Sequence, residues 1–494
     1  MASYSPEAVR AQLEKIIDAA CDAEMKQHGW VPDSGTYHST EYEGHIPMRA
    51  SAVECSLTYI RPHHVVHTQL PGAVPTADGE QYAIDVATSI FKPWVERLTA
   101  MFEGWDELPL ASNFQDAVDA AREAVGMLTL EAGFDQSGGD TTSDGDLYAN
   151  VKYVDDWVGP DAPTAYTGNA ISAFDYSYGA ARQVTVIGNQ RQAMIAVGLC
   201  LAGAQNLWLK AGEDVMTLMD NAEVAFHNLE SPEFDIAANK VYTDVIGLFA
   251  IGGLKPVLEL PGKIVDGAEK VSTLLGEVVP QDEAEEVDAA LSGGDPDEVA
   301  TKLEGVLTKL NDVFWTQEKA LIAPLRLMKD DLLGDPSAYH IHPKPGYDAD
   351  LHHSEVLRVD SAALNKAMGT ALPIIAGQLA RAANKMDRAG SANPWWRSWN
   401  IGYGFNGAFP ELGQLTTLVA ETCRSSAKEL VGATRLLAEA LGVIDAVDAD
   451  ISSHLGGVED DIRGAGLRFP DDPGDPRAPR DDFHTLPNGK QVPI

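Results

Sequence analysis

A long stripe of apolar residues constrains the fold of this chain more than any other feature of its sequence. Between residues 194 and 229, apolar positions recur at steps of three and four, the spacing of one helix face that packs against another helix. The stripe consists of Met194, Val197, Leu201, Ala204, Trp208, Ala211, Val215, Leu218, Ala222, Ala225 and Leu229. At 1.5 Å per residue it is roughly 50 Å long. The pattern therefore predicts a long helix paired with other helices.

The C-terminal part of the chain carries a second pair of such stripes. The first comprises Leu364, Met368, Ala371, Ile375, Leu379, Ala382 and Met386. The second comprises Leu430, Ala433, Leu437, Ala440, Ile444, Val447 and Ile451. The segment between them is rich in tryptophan and glycine, with Trp395, Trp396, Trp399, Gly402 and Gly404. A helix, a turn of this composition and another helix predict a second helical hairpin.

Hydrophobic periodicity and turn residues divide the chain into six regions. We predict an N-terminal α or α+β module (1–110), a helical hairpin with following helices (111–260), a connecting helical region with an acidic linker (261–335), a His/Pro loop (336–358), a second helical hairpin (359–455) and a flexible acidic tail (456–494). Within them we predict helices at 5–28, 81–103 (kinked at Pro93), 112–132, 169–229 and 297–333, and short strands at 56–60 and 65–68. The predicted fold is mainly α, an elongated bundle of two long hairpins.

Charge and composition exclude several classes of function. The formal net charge of −38 argues against nucleic acid and anionic membranes as partners, because both require a basic surface. The chain has no run of 18 apolar residues, so we predict no integral membrane segment. Its N-terminus lacks the basic and apolar regions of a Sec signal. We therefore expect either secretion by a non-Sec route or a cytoplasmic location, and the sequence does not decide between them.

A turn with tryptophan and glycine also precedes the long stripe. Trp157 and Gly159 stand ahead of it, preceded by Asp155 and Asp156. A tryptophan can fill the open wedge at the loop end of a helical hairpin, since its side chain buries roughly 150 to 250 Å². Glycine permits a positive φ or a close approach of two helices. We predict that Trp157 and Gly159, together with Trp208 in the stripe, form turn or interaction positions.

The region around this turn resembles a known family. The segment from Asp156 to Tyr166, then Asn189-Gln190 and the Ala/Leu-rich helix through Val215, resembles actinobacterial members of the Trp-x-Gly superfamily. These are helical-hairpin proteins associated with the type VII secretion system. The stretch 359–455 is similar to another helical family among the secreted factors of that system. The resemblance implies paired helices and a role in protein–protein contacts.

The sequence departs from that family at its export signal. The signal, Tyr-x-x-x-Asp/Glu, follows the second helix in the family. In the C-terminal hairpin Ile444 stands at the tyrosine position, ahead of Asp448, and after the first hairpin Tyr242 is followed four residues later by Ile246. The resemblance therefore implies the helical fold and leaves export open.

Histidines provide the main alternative, a metal-dependent enzyme. His340, His342, His352 and His353 lie close together beside acidic residues, and imidazole with carboxylate can bind zinc. No HExxH spacing accompanies them, and the flanking prolines indicate an exposed loop. Gly402, Gly404 and Gly407 match GxGxxG, but a Trp-rich turn precedes them where a dinucleotide site needs a strand. A phosphate-binding loop and a nucleophile elbow are absent from the sequence.

These observations favour a non-enzymatic helical protein of type VII secretion character. It would be a secreted factor, a secretion partner or a self-assembling scaffold. We expect protein partners or self-association, and neither a cofactor nor a metal. The alternatives are the histidine-based metal enzyme and a phage or cell-surface structural component.

Overall fold

A computed structural model describes six main segments of the chain, residues 3–28, 87–130, 147–158, 169–229, 290–343 and 361–440, and the backbone of five short strands. The fold is mainly α, as predicted. Its helices are α1 (Pro6–Gln27), α2 (Lys92–Met101), α3 (Gln115–Met127), α4 (Leu147–Trp157), α5 (Asn169–Tyr178), α6 (Ala180–Asn228), α7 (Pro296–Gly334), α8 (Pro336–Tyr339), α9 (Ser361–Lys366), α10 (Leu372–Gly390) and α11 (Phe409–Ala440).

The strands are short and pair antiparallel. β1 (Trp30–Asp33), β2 (Thr36–Ser39) and β3 (Leu57–Thr58) follow one another in one sheet, and β4 (Phe483–Thr485) pairs with β5 (Gln491–Pro493). β3 falls within the strand predicted at 56–60. The strand predicted at 65–68 lies outside the described residues.

Helix α6 is the centre of the bundle. It runs for 49 residues, about 70 Å at 1.5 Å per residue, and packs against α1, α3, α7 and α11. Every member of the predicted stripe from Met194 to Ala225 is buried. The predicted helix 169–229 is thus present as α5 and α6, which are separated at Gly179. The apolar spacing correctly located the element around which the other helices pack.

The same helices pass a membrane-span test by length and composition. Ile171–Asn228 contains a window with a mean hydropathy of 1.3, and 78% of that window is buried inside the protein. A central helix that is surrounded by other helices needs an apolar sequence for the same reason as a membrane span does. Its hydropathy is therefore weak evidence for a membrane segment.

Local sequence sets the starts of two long helices. Ser5 caps α1 by accepting a hydrogen bond from the amide of Ala8 at 3.1 Å. Asp295 caps α7 by accepting from the amide of Glu298 at 2.8 Å. A proline follows each capping residue, in the first turn, where its missing N–H costs nothing.

Two prolines coincide with π-helical turns. Pro93 is the second residue of α2, which follows the π turn Ala87–Phe91, and Pro373 is the second residue of α10, which follows the π turn Ala367–Ala371. A proline cannot donate to the carbonyl four residues earlier and its ring crowds that carbonyl, which widens the helix there. The irregularity predicted at Pro93 is therefore a π turn before Pro93, within a helix that begins at Ala87 among the described residues.

The C-terminal stripes lie on helices that pack together. Leu364 to Met386 run along α9, the π turn and α10, and every member is buried. Helix α10 packs against α11, α3 and α4. Helix α11 begins at Phe409, well before the second predicted stripe, and positions 444 to 451 of that stripe lie outside the described residues.

Buried apolar side chains from α1 to α11 form one continuous core. Cys21, Cys200 and Cys423 are free thiols within it, and burial raises the pKa of each above its ordinary value. Thiols in such surroundings behave as small apolar side chains.

Candidate functional site

The segment between α10 and α11, residues 391–408, is the candidate site, which we call the aromatic loop. It has neither helix nor strand and contains three glycines in the left-handed region, Gly402 (φ 58°), Gly404 (φ 80°) and Gly407 (φ 48°). A Cβ on Gly402 would lie 2.5 Å from Oε2 of Glu318, and one on Gly407 would overlap Trp395. The loop therefore approaches its surroundings too closely for side chains at these two positions.

A buried ion pair holds the loop to α7. Arg397, from the loop, donates through Nη2 to Oε2 of Glu318, and both side chains are fully buried. The same oxygen accepts a hydrogen bond from the amide of Tyr403 at 2.7 Å. Burial raises the pKa of the Glu318 carboxyl above its ordinary value, against the opposing effect of the Arg397 charge. The pair is a strong positional constraint, because removing one partner leaves a buried charge without its counter-ion.

Arg397 also organises the loop internally. Its Nε donates to the carbonyl of Ile401 at 2.9 Å, and its Nη1 donates to the carbonyl of Trp395 at 3.2 Å. The guanidinium lies over the Trp208 ring, 4.4 Å from the centroid. One side chain thus joins two points of the loop backbone, a carboxylate on α7 and an aromatic ring on α6.

Asparagine side chains form further hydrogen bonds to the loop and within it. Oδ1 of Asn311 on α7 accepts from the amide of Gly402 at 2.7 Å, and its Nδ2 donates to the carbonyl of Asn400 at 3.1 Å. Within the loop, Nδ2 of Asn393 donates to Oδ1 of Asn406 at 2.7 Å. These bonds fix both arms of the loop, so its conformation is set before any partner arrives.

The loop tryptophans divide into buried and exposed residues. Trp395 is fully buried and meets Phe114 edge to face, with ring centroids 4.9 Å apart. Trp208 on α6 is buried against Phe314 at 5.5 Å. Neither can touch a partner. Trp396 and Trp399, in contrast, expose 67% and 79% of their surface.

Other aromatic residues extend the exposed set. Phe405 of the loop is 50% exposed, and Trp315 on α7 is 43% exposed. The Trp315 ring lies 6.2 Å from that of Tyr403, and Nζ of Lys319 lies 4.7 Å from the Trp315 centroid. We call Trp315, Trp396, Trp399 and Phe405 the exposed aromatic set.

The charge around the loop differs from that of the whole chain. Residues 388–410 contain none of the 74 acidic residues, and their two charges are Arg388 and the buried Arg397. Beside the loop, Arg326 contacts both Glu411 and Tyr403, which raise its pKa. The loop is therefore an acid-free, aromatic stretch in a strongly acidic protein.

Trp157, the first predicted turn position, lies at the end of α4 and is not part of the aromatic loop. Trp157 is the last residue of α4, is half-buried, and stacks at a tilt on Tyr153 with centroids 5.9 Å apart. Tyr153 donates to the carbonyl of Ala363 at 3.3 Å, which ties α4 to α9. Gly159 lies outside the described residues, so its role stays a prediction.

The histidine cluster is described only in part. His340 and His342 follow α8, with ring centroids 5.9 Å apart, and burial lowers the pKa of His340. In the described part of the chain no group of three or more His, Cys, Asp or Glu side chains is arranged to hold a metal ion. His352 and His353 lie outside that part. Nor is there a strand ahead of Gly402, since residues 391–401 form turns and bends.

Sequence reasoning missed Arg397 and Phe405 in the loop, and Asn311, Trp315 and Glu318 on α7. A signal for Glu318 was present, because this acid occupies an apolar position of its helix, four residues after Phe314 and three before Leu321. A charge on a buried helix face requires a partner. Its partner, Arg397, is 79 residues away, and local patterns carry no information on that pairing.

Comparison with known proteins gives no relatives. No family model, curated protein or solved structure matches this chain. The geometry of the aromatic loop is thus the main support for a function.

Proposed function

We propose that this chain is a non-enzymatic helical protein that acts through protein–protein contacts made by the exposed aromatic set. One observation carries the proposal: large aromatic side chains are held in solvent by a loop that a buried ion pair and several asparagines fix in place. Tryptophan is among the residues that most often dominate the energetics of protein interfaces.

The construction of the loop favours function over chance exposure. An exposed tryptophan gains nothing for folding, yet the chain keeps two of them in a loop with three left-handed glycines and a buried ion pair. A fixed loop also loses less entropy on binding than a flexible one. Both points support a contact surface that is ready to bind.

We further propose a type VII secretion character and the finer architecture that goes with it. In this proposal the chain is an elongated bundle of two long helical hairpins with an N-terminal α or α+β module. The packing of α10 against α11 on either side of the aromatic loop supports the second hairpin.

If the type VII system exports the chain, immunoblots detect it in the medium only when the ATPase of that system is present. Retention in the cell in both cases would remove export and leave an intracellular scaffold.

Site-specific photo-crosslinking in the producing cells tests the contact surface. We expect replacement of Trp399 by the photoreactive residue benzoylphenylalanine to give discrete protein adducts after illumination, because position 399 is the most exposed aromatic position of the loop. A new aromatic side chain at this position keeps the size and apolar character of the original.

Leu436 on α11 is the matched control. It is 67% exposed, as much as Trp396, but lies outside the aromatic loop. We expect no discrete adduct from the same photoreactive residue at 436. Absence of adducts from 399, or equal adducts from both positions, would contradict the proposed function.

A further inference from the structure

We infer that residues 335–343 form a strap whose docking on helices α6 and α11 weakens in acid, with His340 as the residue that takes up the proton. The strap directly follows α7 and includes α8. It contains the two described histidines of the sequence cluster, which the proposed contact surface does not use. The inference therefore stands apart from the exposed aromatic set.

Side chains of α6 hold the strap by its backbone. Arg182, Asn189 and Gln190 together donate to the four consecutive carbonyls of residues 337–340. Arg182 bonds the first and the last of these carbonyls, the last at 3.0 Å. Asn189 and Gln190 bond the two between them, at 2.8 and 2.7 Å. These side chains supply partners that a helix as short as α8 cannot give its own carbonyls.

Helix α11 holds the far end of the strap. Oγ of Ser426 accepts from the amide of Ile341 and from Nε2 of Gln190, both at 3.0 Å. The side chains of Tyr339 and Ile341 are buried, and Oη of Tyr339 donates to Oδ2 of Asp331 at 2.5 Å. The Ile341 amide is thus shielded by α11, and its hydrogen exchanges with solvent only when the strap leaves its site.

The surroundings of His340 favour its neutral form. Its ring is half-buried and receives no hydrogen bond from the described part of the protein. Burial is the main cause that lowers the pKa of His340, and His342 and Arg182 act in the same direction. The ring centroid of His342 lies 5.9 Å away, and Glu429 on α11 opposes these effects. A protonated His340 would therefore be a partly desolvated cation without a hydrogen-bond acceptor among these residues.

Other ionisable groups beside the strap do not reverse this balance. Tyr178, at the end of α5, is neutral in the relevant range, since burial raises its pKa to about 12. Asp335 acts on Arg182, and Asp331 accepts a hydrogen bond from Tyr339. In the presence of all these groups the pKa of the half-buried imidazole is still lowered.

The docked strap loses stability as the pH falls. Because the pKa of His340 is lower in the docked state than in an exposed histidine, about 6.5, the undocked strap binds the proton more tightly. Docking is at full strength above about pH 6.5 and weakens as the pH falls from there toward the docked-state pKa. One proton changes the ratio of docked to undocked strap by up to about tenfold per pH unit. Release exposes the side chains of Tyr339 and Ile341, which docking keeps buried.

Hydrogen–deuterium exchange of the full-length protein, read by mass spectrometry, tests the inference. After correction for the intrinsic exchange rate, peptides that cover residues 338–342 should lose protection between about pH 7.5 and about pH 5.5, by up to about tenfold per pH unit. Peptides from the centre of α6, residues 194–208, should keep their protection, because the release is local.

Three variants identify the responsible group. His340→Gln keeps a polar side chain but removes the titrating ring, so the pH response of the strap should disappear. His342→Gln is the matched control, since it removes the other histidine of the strap, and most of the response should remain. Ser426→Ala removes the acceptor of the Ile341 amide, so it should lower protection at both pH values and keep the pH dependence.

A second measurement does not depend on how well a variant docks. The imidazole NMR resonance of His340, assigned by its absence from the spectrum of His340→Gln, gives the pKa in the wild-type protein, and we expect a value below about 6.5. Four results would overturn the inference: unchanged protection of the strap in acid, an equal loss in the strap and in the centre of α6, a full response in His340→Gln, or a His340 pKa above about 6.5.

Discussion

At the scale of single residues, Arg397 makes several contacts at once. It balances Glu318, bonds two loop carbonyls and covers the Trp208 ring. A buried charge without its partner is costly, and ion pairs of this kind contribute specificity of conformation more clearly than net stability. We therefore regard Arg397 as the residue that fixes the direction of the exposed tryptophans.

Replacing Arg397 should be strongly destabilising at neutral pH. Arg397→Met leaves the Glu318 carboxylate buried without a cation, and we expect the free energy of unfolding to fall by about 3–5 kcal/mol. Adding Glu318→Gln removes the orphaned charge, so the double variant should be more stable than Arg397→Met alone. Urea unfolding of the two variants measures this. A single variant as stable as wild type would show that the pair does not hold the loop.

The same variant should respond to pH. Burial raises the pKa of Glu318, and loss of the Arg397 charge raises it further. The raised value stabilises the fold fully below the pKa of an unfolded glutamate, about 4.3, and this contribution is lost as pH rises through the folded value. The deficit of Arg397→Met should thus be smaller at about pH 5 than at about pH 7. An unchanged deficit would mean that Glu318 does not take up the proton.

At the scale of elements, periodicity predicted the helices and said little about the contacts between them. The predicted helix 5–28 is α1, and the predicted helix 297–333 is α7, because caps and apolar spacing are local signals. The exposure of Trp396 next to the buried Trp395 was not predictable. It depends on Gly407, which leaves room for the Trp395 ring, and on the pairing of Arg397 with Glu318, which is 79 residues away. Helical periodicity carries no information on either contact.

The two tryptophans that the sequence emphasised should differ in their effect on stability. Trp208→Ala removes a fully enclosed ring from the contact of α6 with α7, and we expect a loss of about 3–5 kcal/mol. Trp157 is half-buried at the end of α4, so Trp157→Ala should cost clearly less. Thermal unfolding followed by circular dichroism compares them. A larger effect at 157 would indicate that this residue fills a wedge in the bundle after all.

At the scale of the whole molecule, one central helix and one aromatic loop are the main features of the described structure. Helix α6 supplies the apolar face against which α1, α3, α7 and α11 pack. The aromatic loop contains no acidic residue, in contrast to the net charge of −38 of the whole chain.

The native size of the protein in extracts of the producing cells tests the central claim most directly. Size-exclusion chromatography with immunodetection needs no knowledge of the partner. We expect wild type and Leu436→Ser to elute well above the 52.9 kDa of one chain, and Trp396→Ser with Trp399→Ser to elute at a smaller size. Identical elution of the three proteins would contradict the claim that the exposed tryptophans of the aromatic loop form its contact surface.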